Sequence, residues 1–202
     1  ESENCYIMCI VYMADRFGIS IADVTTGDYY VTQLDSDRKL LDEISRFSPR
    51  EIICNEPFFM SGIDIDGLRS RYHISVNSAP TGYFDDRNAS DTLKKHFKVQ
   101  SLEGLGLRDL DIGTVAAGAL MEYLIETQKN ELLNITKITP YSTTKSVIID
   151  SSTRRNLELT ETMREKQKRG SLLWVLDKTK TAMGARTLRK FIEQPLIDRA
   201  MI

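Results

Sequence analysis

The sequence is poor in the residue patterns that announce chemistry. Its three cysteines, Cys5, Cys9 and Cys54, form an odd set with no CxxC spacing, so neither a zinc ribbon nor a disulfide framework is indicated. Cys5 and Cys9 share one face of an expected strand and read as buried thiols in a reducing cytoplasm. The two histidines, His73 and His96, fall on different expected elements, and neither has a cysteine or carboxylate at metal-ligand spacing. No G-x-x-x-x-G-K-[ST] phosphate loop occurs, and Gly104-Leu-Gly106 is a lone GxG that reads as a turn. Asp64 and Asp66 lack the remaining ligands of a calcium loop. No local motif suggests a Ser/His/Asp or Cys/His set. No apolar run reaches membrane-spanning length and no signal peptide stands at the start, which leads to the expectation of a cytoplasmic protein. The first residue is Glu1 rather than Met, which suggests a piece of a longer protein.

What remains is an ordinary globular composition, 41% hydrophobic and 28% charged. The net charge of −2 conceals a division: residues 141–202 carry 13 Lys and Arg against 7 Asp and Glu, and residues 1–140 carry 14 against 22. That asymmetry predicts two units, bounded near 1–141 and 142–202. The acidic first unit is a poor candidate for nucleic-acid binding, because phosphate contacts need a positive surface.

Tyr6–Met13 is apolar throughout, as a central strand covered on both faces would be. Two further strand patterns, Ile19–Val24 and Tyr29–Leu34, complete an expected antiparallel meander. Ser36 is placed to cap a helix carrying Leu40, Leu41, Ile44 and Phe47, which Pro49 closes. Glu51–Asn55 reads as a short buried strand and Tyr72–Val76 as another. Asp85 or Asp86 starts a helix with Ala89, Leu93 and Phe97 on one face. The longest expected helix runs from about Asp111 to Lys129, with Asp111 as cap and Ile112, Val115, Ala116, Ala119, Leu120, Tyr123 and Leu124 on a wide apolar face. Asn130–Ser146 shows no period and reads as a connection, followed by a short extended piece at Val147–Ile149. The order β-β-β-α-β-α-β-α predicts an α/β fold: a ribonuclease-H-like mixed five-stranded sheet with flanking helices.

A two-metal nuclease of that architecture needs clustered carboxylates, usually anchored by an acid on the first strand. Cys5–Met13 contains none, and Glu43 and Glu56 read as surface charges, so the first unit is expected to be catalytically inert. A metal-dependent nuclease using those two residues stands as the alternative from the enzyme class, and a free-standing adaptor module as a third reading.

The C-terminal quarter is expected to be all-helical. Asp150, Ser151 and Ser152 offer caps to a helix start. Leu157, Leu159, Thr160 and Met163 give a partial stripe, and Arg164–Gly170 is a basic loop. Leu172-Leu-Trp-Val-Leu176 is apolar nearly all round and is expected to be buried, Trp174 included. Gly184 and Ala185 permit close helix contact, and Leu188, Phe191 and Ile192 continue the stripe until Pro195. Such short helices need additional partners to cover their faces.

Thr153-Arg-Arg-Asn-Leu-Glu158, Leu172-x-x-Val-Leu-Asp177, Thr181-x-Met-Gly-x-Arg-x-Leu188 and Pro195-Leu together resemble the start of the core (lever) domain of the MutS family of bacterial mismatch-repair proteins. Asp23-Val-Thr-Thr-Gly27 and Ala116-Ala-Gly-Ala-Leu120-x-x-Tyr123 resemble the family's connector domain, and the two resemblances together cover nearly the whole chain. The resemblance implies a piece of a homodimeric ATPase that clamps mismatched DNA and recruits MutL. Its ATP and magnesium would be bound by parts not represented here, and no cofactor or catalytic residue is expected in this piece. The piece would link and relay between the mismatch-reading and ATPase domains. A literal Phe191-Ile-Glu193 carries no DNA-reading role, since the family's mismatch-stacking motif belongs to another domain and Phe191 is expected to be buried. Arg154, Arg155 and Glu158 match the family motif at the base of the core and are expected to brace the joint between the units. Glu122, Glu126 and Lys129, on the polar face of the long helix, are candidates for the MutL-contacting surface.

Overall fold

The computed structural model describes residues 5–128, 132–143, 149, 151–193 and 195, with backbone alone at 151 and 152. The expected caps at residues 150–152 and the extended piece at 147–149 therefore lie largely outside the described side chains. The chain divides into two compact units, one running to Tyr141 and the other beginning at Ser142.

In the first unit, β1 (Tyr6–Met13), β2 (Arg16–Asp23) and β3 (Asp28–Leu34) form an antiparallel meander. The first turn is tighter than its sequence suggests, because Ala14 and Asp15 both take positive φ (52° and 57°), as a two-residue hairpin turn requires. In the second turn Gly27 (φ +79°) lies against the backbone of Asn134, with no room for a side chain. Asp23 Oδ1 accepts from the Thr25 N–H and hydroxyl at 2.9 and 2.6 Å, fixing the chain as it leaves β2.

Helix α1 (Asp37–Phe47) begins at Ser36, whose hydroxyl accepts from Lys39 N at 3.3 Å. It returns the chain to β4 (Glu51–Cys54), parallel to β1; α2 (Ile65–Arg71) then leads to β5 (Ser75–Ser78), parallel to β4. β5 starts three residues later than the apolar alternation suggests, because Tyr72 is exposed and His73 turns the chain at φ 54°. Helices α3 (Asp86–Phe97) and α4 (Asp111–Gln128) complete the unit. Asp85 caps α3 through its carboxylate and Asn88 N at 2.9 Å. Asp111 is not the cap of α4 but lies in its first turn, 3.7 Å from the Arg16 guanidinium.

The sheet has six strands, not five, in the order β5-β4-β1-β2-β3-β6. The additional β6 is Thr139–Pro140, parallel to β3. It comes from the stretch read as a plain connection: two residues show no alternation, and a proline is tolerated because the strand lies at the sheet edge.

Successive side chains of the central strand point into two separate cores. Cys9 and Val11 pack with α3 and α4 on one face, while Met8 and Ile10 pack with α1 and α2 on the other. Helix α4 is buried on all sides over its first eleven residues apart from Asp111 itself. Small residues at Gly113, Ala116, Ala117, Gly118 and Ala119 let it fit between the sheet and α3. The Tyr29 hydroxyl donates to Ala117 O at 2.5 Å, pinning that helix to β3.

The second unit contains α5 (Ser151–Asn156), α6 (Leu172–Leu176) and α7 (Ala182–Glu193). Ser171 caps α6 by accepting from Trp174 N at 3.3 Å, while its own hydroxyl donates to Lys168 O at 2.7 Å. The turn after α5 meets α6 through its backbone, with Leu172 N and Leu173 N donating to Glu158 O and Leu159 O at 3.0 and 2.9 Å. Burial of the apolar run is not observed: Leu173 is 4% exposed, but Trp174 is 48% and Val175 is 54%. Phe191 is likewise exposed. Leu173 is the one buried residue of α6, and among the described side chains of α7 only Glu193 is buried, so the two helices leave most of their apolar side chains uncovered.

Candidate functional site

The sequence nominated two groups of residues and two isolated carboxylates. Glu43 is not a surface charge. It lies on the buried stripe of α1 with Leu40, Ile44 and Phe47, the i, i+3, i+4, i+7 spacing of a helix face. Its Oε2 accepts from Arg46 Nη1 at 2.9 Å and from the Tyr141 hydroxyl at 2.6 Å. The Arg46 guanidinium lies 4.5 Å from the centre of the Phe47 ring and 5.4 Å from that of Tyr141. Burial first, and the Glu43 carboxylate next, push the Tyr141 hydroxyl well above its ordinary pKa. Glu56 is exposed at the start of a short 3-10 turn, Glu56–Met60, and the structure does not bring it together with Glu43 in any metal-holding group. Among the described residues no three His, Cys, Asp or Glu side chains gather as they would around a metal ion.

Three acids come into play around the outer part of α4. Glu122 accepts from Asn88 Nδ2 at 2.7 Å, and Glu126 accepts from the Tyr83 hydroxyl. On the adjoining side the Tyr123 hydroxyl donates to Glu51 Oε1 at 2.7 Å. Burial and then the hydrogen bond to Glu126 raise the Tyr83 pKa, and burial and then the hydrogen bond to Glu51 push that of Tyr123 up to about 12. Glu122 and Glu126 thus belong to the joint between α4 and the segment 81–97, in addition to forming an acidic edge. Tyr83 and Asn88 were not legible as their partners, since nothing in sequence spacing links positions about forty residues apart. Lys129 lies outside the described residues.

Arg154 and Arg155 occupy the last turn of α5, and Glu158 the turn that follows, at φ 48°. Arg154 Nη2 reaches Ile149 O at 3.4 Å, while its Nε is buried with no hydrogen-bond partner. Arg155 is exposed. Glu158 Oε1 accepts from Met163 N at 2.7 Å, so its carboxylate closes the turn 158–163 rather than pairing with either arginine. The remaining candidates have local structural roles. His96 Nε2 lies 2.8 Å from Ile135 O, Asp64 caps α2 through Gly67 N at 2.9 Å, and Gly106 ends a 3-10 turn at φ +74°. Burial raises the Cys9 thiol well above its ordinary pKa and pushes that of Cys54 up to about 12, so both are held as unreactive thiols.

Residues 5–136 match the family model of MutS domain II, and residues 152–202 match that of MutS domain III. The chain belongs to the MutS family. It is 58% identical to the DNA mismatch repair protein MutS of Lachnoclostridium phytofermentans over 98% of its own length and 21% of that protein. It is 43% identical to the DNA mismatch repair protein MutS of Ruminiclostridium cellulolyticum over its whole length and 23% of the relative. The MutS of Acetivibrio thermocellus is 42% identical over 98% of this chain and 23% of its own length. The chain thus spans less than a quarter of the length of these MutS relatives. Every candidate residue described above falls within one of the two matched MutS segments, except Tyr141 and Ile149. Among the described residues no helix is long and apolar enough to cross a membrane.

Proposed function

We propose that this chain is a linking piece of a MutS protein that acts in DNA mismatch repair, with no active site of its own. The observation that carries this reading is the consecutive match to MutS domains II and III across nearly the whole chain. Its first unit is read as a ribonuclease-H-like scaffold: an antiparallel meander followed by two parallel crossovers supports that arrangement. Binding of mismatched DNA, hydrolysis of ATP with magnesium and pairing into a homodimer are assigned to the longer protein, with this piece relaying between its other domains. Recruitment of MutL is assigned to the surface that includes Glu122, Glu126 and Lys129. In the second unit Arg154, Arg155 and Glu158 set the shape of the chain leaving α5, with the Glu158 cap on Met163 as the best-defined element.

The test is a graft. This chain replaces the matching segment of the full-length Lachnoclostridium phytofermentans relative, and spontaneous mutation frequency is measured in a bacterial strain lacking its own MutS. Restoration to the level given by the intact relative is expected. A chimera that is expressed and folded, yet leaves the frequency at that of the deficient strain, would overturn the proposal. Charge reversal of Glu126 in the same chimera is expected to weaken MutL binding measured in the presence of ATP.

A further inference from the structure

The chain leaves the sheet of the first unit through Thr139, Pro140 and Tyr141, and the backbone hold on these residues is slight. β6 comprises two residues, of which Pro140 has no N–H to donate. Beyond that short ladder, Tyr141 N–H donates to Val31 O at 3.0 Å and Tyr141 O accepts from the Thr32 hydroxyl at 2.6 Å. Few hydrogen bonds of modest net strength stand against the conformational entropy of three ordered residues.

The side chain of Tyr141 supplies what the ladder lacks. Its hydroxyl donates to Glu43 at 2.6 Å, and the largely covered Arg46 holds that same carboxylate oxygen at 2.9 Å. Its ring meets Tyr30 edge-on, with centroids 6.3 Å apart, and lies 6.4 Å from Phe47. The Arg46 guanidinium is shared between the Phe47 and Tyr141 rings. One residue at the exit therefore engages both β3 and α1, which lie about a hundred positions earlier. The charged pair is only 10% and 8% exposed, and the Tyr141 hydroxyl gives its carboxylate oxygen a second donor where water has little access.

We propose that Tyr141 is a latch, and that its side chain rather than the β6 ladder fixes the point at which the chain leaves the sheet. The strap 139–141 then stays docked while the chain beyond it changes direction, and β3 remains in place. If the chain is the mechanical link proposed above, displacement of the following segment is delivered to β3 and α1 together through this one residue. That mechanical consequence rests on the functional reading, whereas the latch does not.

The experiment is amide hydrogen exchange by NMR on the 202-residue chain, comparing wild type, Tyr141→Phe and Tyr141→Leu. Each rate is normalised to the unstructured rate of the same sequence. Protection of the amide of residue 141 is expected to fall roughly fivefold in Tyr141→Phe, which loses one hydrogen bond. In Tyr141→Leu it is expected to fall on the order of a hundredfold while amides of β1 and β2 keep their protection, as local opening demands. Unchanged protection at 141 in both variants would show that the ladder holds the strap. A parallel loss across β1 and β2 in the phenylalanine variant would show that the residue supports the whole sheet. Either result overturns the latch. Exchange is read on the chain alone, so failure of the graft leaves this outcome unaffected, and the reverse also holds.

Discussion

Gly118 of α4 and Ala89 of α3 meet backbone against backbone: a methyl group added to Gly118 would lie 2.5 Å from the Cα, Cβ and carbonyl oxygen of Ala89. Both residues are buried, so an added methyl group finds no open space at the contact. The contact lets α3 press α4 against the sheet, where Gly113 is less tightly met: a methyl group there would lie 3.1 Å from Val31 Cγ2 and 3.2 Å from Thr32 O.

Gly118→Ala is therefore expected to destabilise the chain, although alanine favours a helix interior by about 1 kcal/mol over glycine. Overpacking against backbone atoms costs about 1–3 kcal/mol and outweighs that gain. Urea unfolding monitored by far-ultraviolet circular dichroism measures the net effect. A variant as stable as wild type or more so would show that the helices can separate freely.

The buried pair on α1 supports a second expectation. Arg46→Ala leaves the Glu43 carboxylate buried with only the Tyr141 hydroxyl against it, and the loss is expected to be about 3–5 kcal/mol. Replacing both charged residues by methionine removes the uncompensated charge together with its partner, so the double variant is expected to be more stable than Arg46→Ala. The two unfolding midpoints decide the order, and the reverse order would contradict the pairing.

Much of the first unit was legible because its signals are local. The uninterrupted apolar run Tyr6–Met13 marked the central strand, and Ser36 and Asp85 marked helix starts that the structure retains. Glu43 was misread although the signal was present: Leu40, Glu43, Ile44 and Phe47 keep strict helical spacing, whereas Leu41 is off the stripe and exposed. Counting apolar residues favoured Leu41 because a charge was not allowed on the inner face. β6 was not legible, since its placement depends on Tyr141 meeting residues far away in sequence. Nor was the exposure of Trp174 and Phe191, because an apolar run records the chemistry of a surface and not whether anything lies against it. The tyrosine partners of the acidic edge had no sequence signal of any kind.

Alkaline pH is expected to weaken the first unit through Tyr123. Its ordinary value of 10.0 is pushed up to about 12 by burial and by the hydrogen bond to Glu51, so the folded state favours the neutral phenol. A folded pKa above the unfolded one gives stability that is complete below pH 10 and is lost as pH rises through about 12. Tyr123→Phe keeps the ring and removes the proton. It is expected to lower stability by about 0.5–1.5 kcal/mol at neutral pH and to flatten part of the decline above pH 10. Chemical denaturation between pH 8 and 12 reads both effects, and an undiminished alkaline slope in the variant would assign the decline to other tyrosines.

The second unit carries the opposite dependence at Asp177. Its carboxylate accepts from Lys168 Nζ at 2.8 Å and from the Thr179 hydroxyl and N–H at 2.6 and 3.2 Å. The Lys168 hydrogen bond first, and the Thr179 bonds next, hold its pKa at about 2, below the ordinary 3.8. A depressed folded pKa gives stability present above 3.8 and lost as pH falls through about 2. The bonds join the loop before α6 to its C-terminal end, so protonation loosens that closure and leaves the Ser171 cap intact. Lys168→Met keeps a long side chain without the charge, and Asp177 is then expected to titrate closer to the ordinary value. Carboxyl 13C chemical shifts followed from pH 6 to 1.5 would read the midpoint directly. An unmoved midpoint would mean that the two Thr179 bonds alone hold the carboxylate, and Thr179→Val, which removes the hydroxyl bond and keeps the N–H, would then read the share carried by the hydroxyl.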